Sequence, residues 1–387
     1  MKILNVNHTM DPVAGGGTAE RTLQMSRYLV VNGIQCSVLT LDTHIPTERT
    51  SFLQSGQFIA LSPLIKRFFI PKASYGKIKK IVESADIVHL MGHWTILNVM
   101  VYFAARSLDR PYVFCPAGAL PIFGRSRILK KIYNWAVGRK IANNAAKCIA
   151  ITENEKADFL EYGVKENKIV VIPNGVDEFD FTADDDVVFR KKYALGTRPF
   201  ILFVGRLNLI KGPDLLLRAF CQIKDDFPEL DLVFVGPDGG LLQTLRDIAK
   251  SYAAEHRVCF VGYLGGEDKS CAYHAATLLA IPSRHEAMSI VVLEAGICGT
   301  PALFTDQCGL NEVAEKGYGW MTPASVEGLK LGLVSAMADI AKFHPIEQDI
   351  RTYVADNFSW HAVIKKYILL YEELLESTST SKMNLPS

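Results

Sequence analysis

The chain has 387 residues, 49% hydrophobic and 21% charged, with 42 Lys+Arg against 41 Asp+Glu and a formal net charge of +1. That length allows two domains of ordinary size, each with its own core, and the composition excludes a disordered or fibrous protein. The neutral total excludes a general nucleic-acid binder. It conceals an asymmetry, however: 22 Lys+Arg against 12 Asp+Glu through Val176 give +10, and 20 against 29 afterwards give −9. A cationic first half points to an anionic surface or an anionic substrate.

In chain order, the apolar start Met1-Lys2-Ile3-Leu4 stops at Asn5, too soon for a secretory signal. Met1 to Val6 reads as a strand, Asp11 to Gly17 as a glycine-rich turn, and Thr18 onward as a helix start. Gln35 to Leu41, Ile87 to Leu90, Tyr112 to Cys115, Cys148 to Thr152 and Ile169 to Ile172 are further strand-like runs with helical stretches between several of them. The charge-free run between Asp86 and Arg106 is long enough to span a membrane, but His89, Gly92, His93 and Asn98 interrupt it, and strand, loop and helix explain it better. An Asn-Gly turn in Pro173-Asn174-Gly175-Val176-Asp177, followed by an acidic stretch through Asp186 that forms core poorly, marks the domain boundary. A second series of buried parallel-type strands follows at Phe200 to Gly205, Asp231 to Gly236, Val258 to Gly262 and Leu278 to Ile281. The eight cysteines are scattered, with no CxxC pair, and read as buried thiols in a reducing compartment. The expected architecture is α/β, with two Rossmann-like doubly wound parallel-sheet domains facing a central cleft: residues 1–177, then 178–357, a C-terminal helix at 358–376 that belongs to either domain, and a disordered tail at 377–387.

The strongest chemical signal is Pro282-Ser283-Arg284-His285-Glu286-Ala287-Met288-Ser289-Ile290, continuing to Glu294. A strand ends at Pro282, a loop carries Glu286, and a helix starts near Ser289. The backbone N–H groups of Ser289 and Ile290 then form an anion site, and the two carboxylates can accept hydrogen bonds from sugar or ribose hydroxyls. For the glutamates alone, a surface acid and a dipole-favoured acid in a first helical turn account for the pattern equally well. Arg206 and Lys211, in Gly205-Arg206-Leu207 and Lys211-Gly212, add two cations just beyond a strand end, where a diphosphate would sit. The alternative for these is a solvated surface pair.

Taken together, these residues resemble the retaining, GT-B fold glycosyltransferases of family 4. The match comprises Gly15-Gly16-Gly17, Ile172 to Asp177, Gly205-Arg206 with Lys211-Gly212, Glu286 with Glu294, Gly299-Thr300-Pro301, and Phe358-Ser359-Trp360 with Tyr371-Glu372, nearly the whole chain. The resemblance implies a soluble enzyme in the cytoplasm, peripheral on the inner membrane face if it is membrane-associated, with no cofactor and no metal. Its donor would be a UDP- or GDP-linked sugar, and its acceptor a saccharide or lipid-linked saccharide in cell-surface polysaccharide or lipopolysaccharide synthesis. By the same resemblance, Arg206 and Lys211 hold the donor diphosphate, Glu294 the ribose, and Glu286 the donor sugar, with the backbone of Met288, Ser289 and Ile290 beside sugar and phosphate. Tyr263 falls where the family places the nucleobase, and Gly16 and Gly17 let a first-domain loop approach the phosphates.

Two departures from the family pattern stand out. Relatives often carry His-x-His-Gly after the fourth strand, whereas this chain has His89-Leu90-Met91-Gly92-His93-Trp94. His93 either takes over the task of the missing histidine near the reacting sugar or is a packing or acceptor-site residue. Ala287 replaces a common Gly after the first Glu. Asp184-Asp185-Asp186 has an Asp-x-Asp form that binds metal in other transferases, but it lies in the polar interdomain stretch and two cations already supply positive charge. Basic residues recur with aromatics in Lys66-Arg67-Phe68-Phe69 and from Arg125 to Trp135. There Arg127, Lys130 and Lys131 share one helical face and Ile128, Ile132 and Trp135 another. Such a helix either lies on an anionic membrane or packs its apolar face on its own core. The rival functions are a GT-B fold epimerase or phosphorylase, and a non-catalytic nucleotide-sugar-binding protein.

Overall fold

A computed structural model describes residues 1–41, 47–65, 69–122, 126–340 and 346–383. The chain divides into two compact units, Met1–Gly175 with Trp360–Ser387, and Val176–Ser359.

The first unit is built on a seven-stranded sheet. Its strands are β1 (Lys2–Val6), β2 (Gln35–Leu41) and β3 (Phe58–Leu61), then β6 (Ile87–Met91), β7 (Tyr112–Cys115), β8 (Lys147–Ala150) and β9 (Ile169–Val171); β4 (Pro63–Ile65) and β5 (Ile70–Pro71) form a separate antiparallel pair. The order β3-β2-β1-β6-β7-β8-β9 is parallel throughout. Ile87-Val88-His89-Leu90-Met91 is buried along its whole length, as a strand covered on both faces must be. Connections leave to opposite sides from β1 and β6, so the switch point of the winding, where open α/β sheets bind ligands, lies at their carboxyl ends.

The second unit repeats the plan with β10 (Phe200–Val204), β11 (Asp231–Val235), β12 (Val258–Gly262), β13 (Leu278–Ile281), β14 (Ala302–Thr305) and β15 (Gly319–Thr322). Its order β12-β11-β10-β13-β14-β15 is again parallel and doubly wound, with the switch between β10 and β13. Leu202, Phe203, Phe234 and Leu279 are wholly buried, and each side chain of that size removed from water stabilises the unit by about 1.5–3 kcal/mol.

Several sequence expectations need correction. The helix from Trp360 runs to Met383 and belongs to the first unit, so the disordered tail expected from Ser377 is helical to Met383; residues 384–387 lie outside the described residues. The acidic stretch after Asp177 is not a bare linker. Asp177 accepts from the Phe179 N–H at 3.1 Å, Phe181 is buried, and Asp185 caps the helix Asp186–Lys192 through the Val188 N–H at 2.9 Å. Asp186 in turn pairs with Arg190. The glycine-rich turn is helical on both sides of a single break, for the helix Pro12–Val31 is interrupted only at Gly16 (φ 53°, ψ −141°). All eight cysteines are free thiols, and only Cys259 is part-exposed. No helix among the described residues is long and apolar enough to cross a membrane.

Candidate functional site

In the second unit, the loop 282–289 leaves β13 at the switch point and is clamped from two sides. Gly212 has φ +68°, and a Cβ there would come within 2.1 Å of the Pro282 carbonyl oxygen; Gly309, at φ +67°, would come within 2.0 Å of the Ala287 carbonyl. Only glycine permits that backbone approach at these dihedral angles. Hydrogen bonds fix the loop in register: Arg284 N–H to Ile210 O at 2.8 Å, Glu286 N–H to Gln307 O at 3.0 Å, and Ser289 N–H to Cys308 O at 2.9 Å. Arg284 also grips Asp214 in a two-pronged pair at 2.8 and 2.7 Å.

That clamp brings Glu286 onto Lys211. The Lys211 ammonium pairs with Glu286 Oε1, while Ser283 Oγ donates to Glu286 Oε2 at 2.8 Å. The carboxylate is therefore fixed by two donors at a strand end, and both partners keep some exposure. Arg206 lies just past β10, exposed, on a turn held by Leu207 N–H to Pro237 O at 3.0 Å. Tyr263, immediately after β12, is exposed. Arg206, Lys211, Tyr263 and Glu286 thus all sit at the carboxyl ends of this sheet's strands.

The helix Ile290–Cys298 begins where the sequence places it, with Ser289 as N-cap. One expectation fails in detail, because the Ser289 N–H is already spent on Cys308, so the anion site at this helix end starts with Ile290. Ser289 Oγ and Met288 are buried, the former without a hydrogen-bond partner among the described residues. Glu294, one turn in, is buried too. Tyr273 OH donates to it at 2.5 Å and Lys269 Nζ at 2.6 Å, and burial together with that carboxylate pushes the Tyr273 phenol well up. A carboxylate has about four lone-pair sites, so Glu294 retains acceptor capacity. Sequence reading missed Lys269 and Tyr273, which reach Glu294 only through the fold, and gave no role to Ser283 within the motif it quoted.

In the first unit, Gly16 and Gly17 are on an open side: a Cβ at Gly16 would meet nothing within 4 Å, and Gly17 is exposed. His93 is different. It is buried in an aromatic cage of Trp94, Phe114, Tyr133 and Tyr162, with ring centroids 4.4 to 5.6 Å away, and its Nε2 meets Asn134 Oδ1 at 3.0 Å. Burial, first of all, lowers its pKa to about 4. The cage accounts for the ring as a packing residue, while its Nδ1 is buried without a partner among the described residues, so both roles the sequence gives His93 remain open. The histidine at the switch point is one the sequence reading passed over, His8. It lies two residues past β1, and a Cβ on Gly92, just past β6, would stand 3.9 Å from its Nδ1. Its ring packs on Phe69 at 4.2 Å, Nδ1 is buried without a partner among the described residues, and burial lowers its pKa to about 4. Only the pairing of β1 with β6 reveals this placement.

Two parallel doubly wound units with cations and carboxylates at the strand ends of the second define a class, the GT-B glycosyltransferases. Solved structures agree on the fold. Anabaena HepE in complex with UDP and glucose has a TM-score of 0.79 at 20% identity, covering 96% of this chain and 100% of that one. Sucrose-phosphate synthase from Thermosynechococcus elongatus has 0.76 at 22%, covering 97% and 100%, and WaaG, a glycosyltransferase involved in lipopolysaccharide biosynthesis, has 0.66 at 19%, covering 94% and 98%. Residues 185–349 match the family described as Glycosyl transferases group 1, and residues 15–178 match Glycosyltransferase Family 4. The chain belongs to glycosyltransferase family 4. Among its relatives, a D-inositol 3-phosphate glycosyltransferase of Corynebacterium jeikeium is 33% identical over 61% of this chain, which spans only 59% of that enzyme's length. The corresponding enzyme of Actinosynnema mirum is 31% identical over 75% of each chain. An uncharacterized glycosyltransferase of Methanocaldococcus jannaschii is 28% identical over 97% of this chain and 99% of its own.

Proposed function

We propose that this enzyme transfers a sugar from a UDP- or GDP-linked donor to a saccharide or lipid-linked acceptor, with retention at the anomeric carbon and without a metal, in building a cell-surface polysaccharide. The observation that carries the reading is the Lys211–Glu286–Ser283 cluster on a clamped loop at the switch point, with Arg206 on the adjoining turn. An ammonium has three donors, so Lys211 holds Glu286 and a phosphate oxygen together; Arg206 binds the diphosphate in a fork, and the N-terminus of the helix Ile290–Cys298 adds its dipole. Together they stabilise the charge that develops on the leaving diphosphate, the main catalytic contribution in this reading. Glu286 contacts the donor sugar and Glu294 the ribose, each oriented by its own donors. The bound UDP and glucose of HepE support a nucleotide-sugar donor, and the role named for WaaG supports a surface-saccharide acceptor. A peripheral position on the inner membrane face belongs to the same reading.

The test is to incubate the enzyme with a panel of UDP- and GDP-sugars, with and without saccharide and lipid-linked acceptors, and to follow nucleoside diphosphate release and product anomeric configuration by NMR. Acceptor-dependent release with retained configuration is expected. Conversion of the donor without any acceptor would point instead to an epimerase, and an inverted product would overturn the retaining assignment.

A further inference from the structure

The segment from Arg127 to Asn144 is helical throughout, with a π turn at Asn134–Gly138. Its inward face is fully used. Tyr133 and Val137 pack on the first unit's core, Ile141 and Ala142 are inside it, and Asn134 is buried, its Oδ1 on His93 Nε2 at 3.0 Å and its Nδ2 donating to Tyr162 OH at 2.6 Å. Tyr133 OH donates to the His93 carbonyl at 2.9 Å. A Cβ on Gly138 would stand 2.5 Å from Asn134 Oδ1, so the turn closes on Asn134 only with glycine there. This polar anchor sets the rotation of the helix, and His93 serves it.

With the rotation set, a second apolar face is turned to solvent: Ile128 is 75% exposed, Leu129 49%, Ile132 53% and Trp135 84%. These positions, i, i+1, i+4 and i+7, form one stripe. Of the two readings the sequence leaves open for this helix, packing on its own core does not hold for these four side chains, all of which are exposed. Arg127, Lys131, Arg139 and Lys140 are exposed along the same helix, and Lys130 lies over the Trp94 ring at 5.2 Å. Contiguous exposed apolar side chains fringed by cations mark an interaction surface.

We propose that the face carrying Ile128, Leu129, Ile132 and Trp135 docks on an anionic lipid surface, with Trp135 inserted at the headgroup level. Charge complementarity selects this occupant. Residues 127–144 carry five cations and no Asp or Glu, so a second copy of this helix would bring no negative charge to them, whereas an anionic bilayer offers negative charge to the cations and apolar depth to the stripe. The cationic balance of residues 1–176 acts in the same direction. What the docking serves, presentation of a lipid-linked acceptor, rests on the function proposed above, as does the peripheral membrane position; the docking is tested without turnover, so its failure leaves the sugar-transfer reading standing.

The probe is a vesicle of equal parts phosphatidylglycerol and phosphatidylcholine, set against pure phosphatidylcholine, with binding read by co-sedimentation. At least tenfold stronger binding to the anionic vesicles is expected, weakened by salt and accompanied by a blue shift of tryptophan emission. Trp135→Phe should keep binding and lose the shift, since the chain has only four tryptophans. Ile128→Ser with Ile132→Ser should lose binding by tenfold or more at an unchanged melting temperature, because both residues are exposed. Equal binding of that double variant, a tryptophan shift that survives Trp135→Phe, or a parent dimer that it converts to monomer in sedimentation would each overturn the proposal.

Discussion

Lys211 and Glu286 neutralise one another across a loop that glycines and backbone bonds hold in place, so each should matter to chemistry more than to folding. Lys211→Ala is expected to lower kcat by roughly 10²–10³-fold, the usual cost of removing one preorganised stabilising donor, with a melting temperature near the parent's. Steady-state kinetics with the accepted donor checks this; a kcat within twofold of the parent would move the diphosphate site elsewhere. Glu155 behaves in the opposite way. It is buried, accepts N–H bonds from Ile151 at 2.7 Å and Gly118 at 2.5 Å, and burial, the larger influence, still raises its pKa from 4.5 to about 7. A carboxyl raised in the folded state contributes stability that is complete below its unfolded pKa and is lost as pH climbs toward 7. Glu155→Gln should therefore remove a decline of about 3 kcal/mol at most between pH 4.5 and 7, from 1.36 kcal/mol per pKa unit, seen by urea unfolding of parent and variant at each pH. The comparison must be between the two proteins because His8, His89 and His93, lowered to about 4, 3 and 4, lose their contribution as pH falls, the reverse sense. The position of Lys211 and of Glu286, each just past a strand end, was legible in local sequence, but their pairing across 75 residues was not. Nor was the burial of His93, because apart from its neighbour Trp94 its cage is drawn from three distant parts of the chain, Phe114, Tyr133 and Tyr162.

At the scale of elements, the anchor formed by Asn134, His93 and Tyr162 is a small polar network inside an apolar unit. Asn134→Ala leaves His93 Nε2 and the Tyr162 hydroxyl each short of a partner and should destabilise the first unit by about 1–3 kcal/mol. Thermal unfolding checks this, and an unchanged midpoint would mean that water replaces the amide without loss. The long apolar strands were legible because a parallel strand covered on both faces must be apolar throughout, as Phe200-Ile201-Leu202-Phe203-Val204 is. Five strands were missed. β3 and β15 are edge strands, mostly part-exposed, without a continuous apolar run; β4 and β5 are a pair of three and two residues; β14, Ala302-Leu303-Phe304-Thr305, is buried but has only three apolar residues between Pro301 and a polar end. The helix break at Gly16 was legible as glycine but not as a break, since composition does not separate a turn from two helical segments meeting at one residue.

Across the whole chain, the C-terminal helix is what ties the last residues to the first unit, and Arg21 is its lock. The buried guanidinium donates to Tyr367 OH, Asn174 Oδ1 and the Ile172 carbonyl, while His89 Nδ1 meets Tyr371 OH at 2.7 Å and Trp360 fills the space beside Gly175. Arg21→Leu strands those acceptors in a dry interior and should lower stability by about 3 kcal/mol or more, read as an early loss of first-unit structure by hydrogen exchange. The sequence offered the first domain as this helix's place without deciding it, because Tyr367 and Tyr371 have the spacing of any buried helical face. The measurement that bears most directly on the central claim is calorimetric titration of UDP, GDP and ADP into the parent enzyme and into a double variant carrying Arg206→Ala and Lys211→Ala. UDP or GDP should bind the parent more tightly than ADP does and lose at least a hundredfold in affinity to the variant. Equal affinity for both proteins would contradict the account.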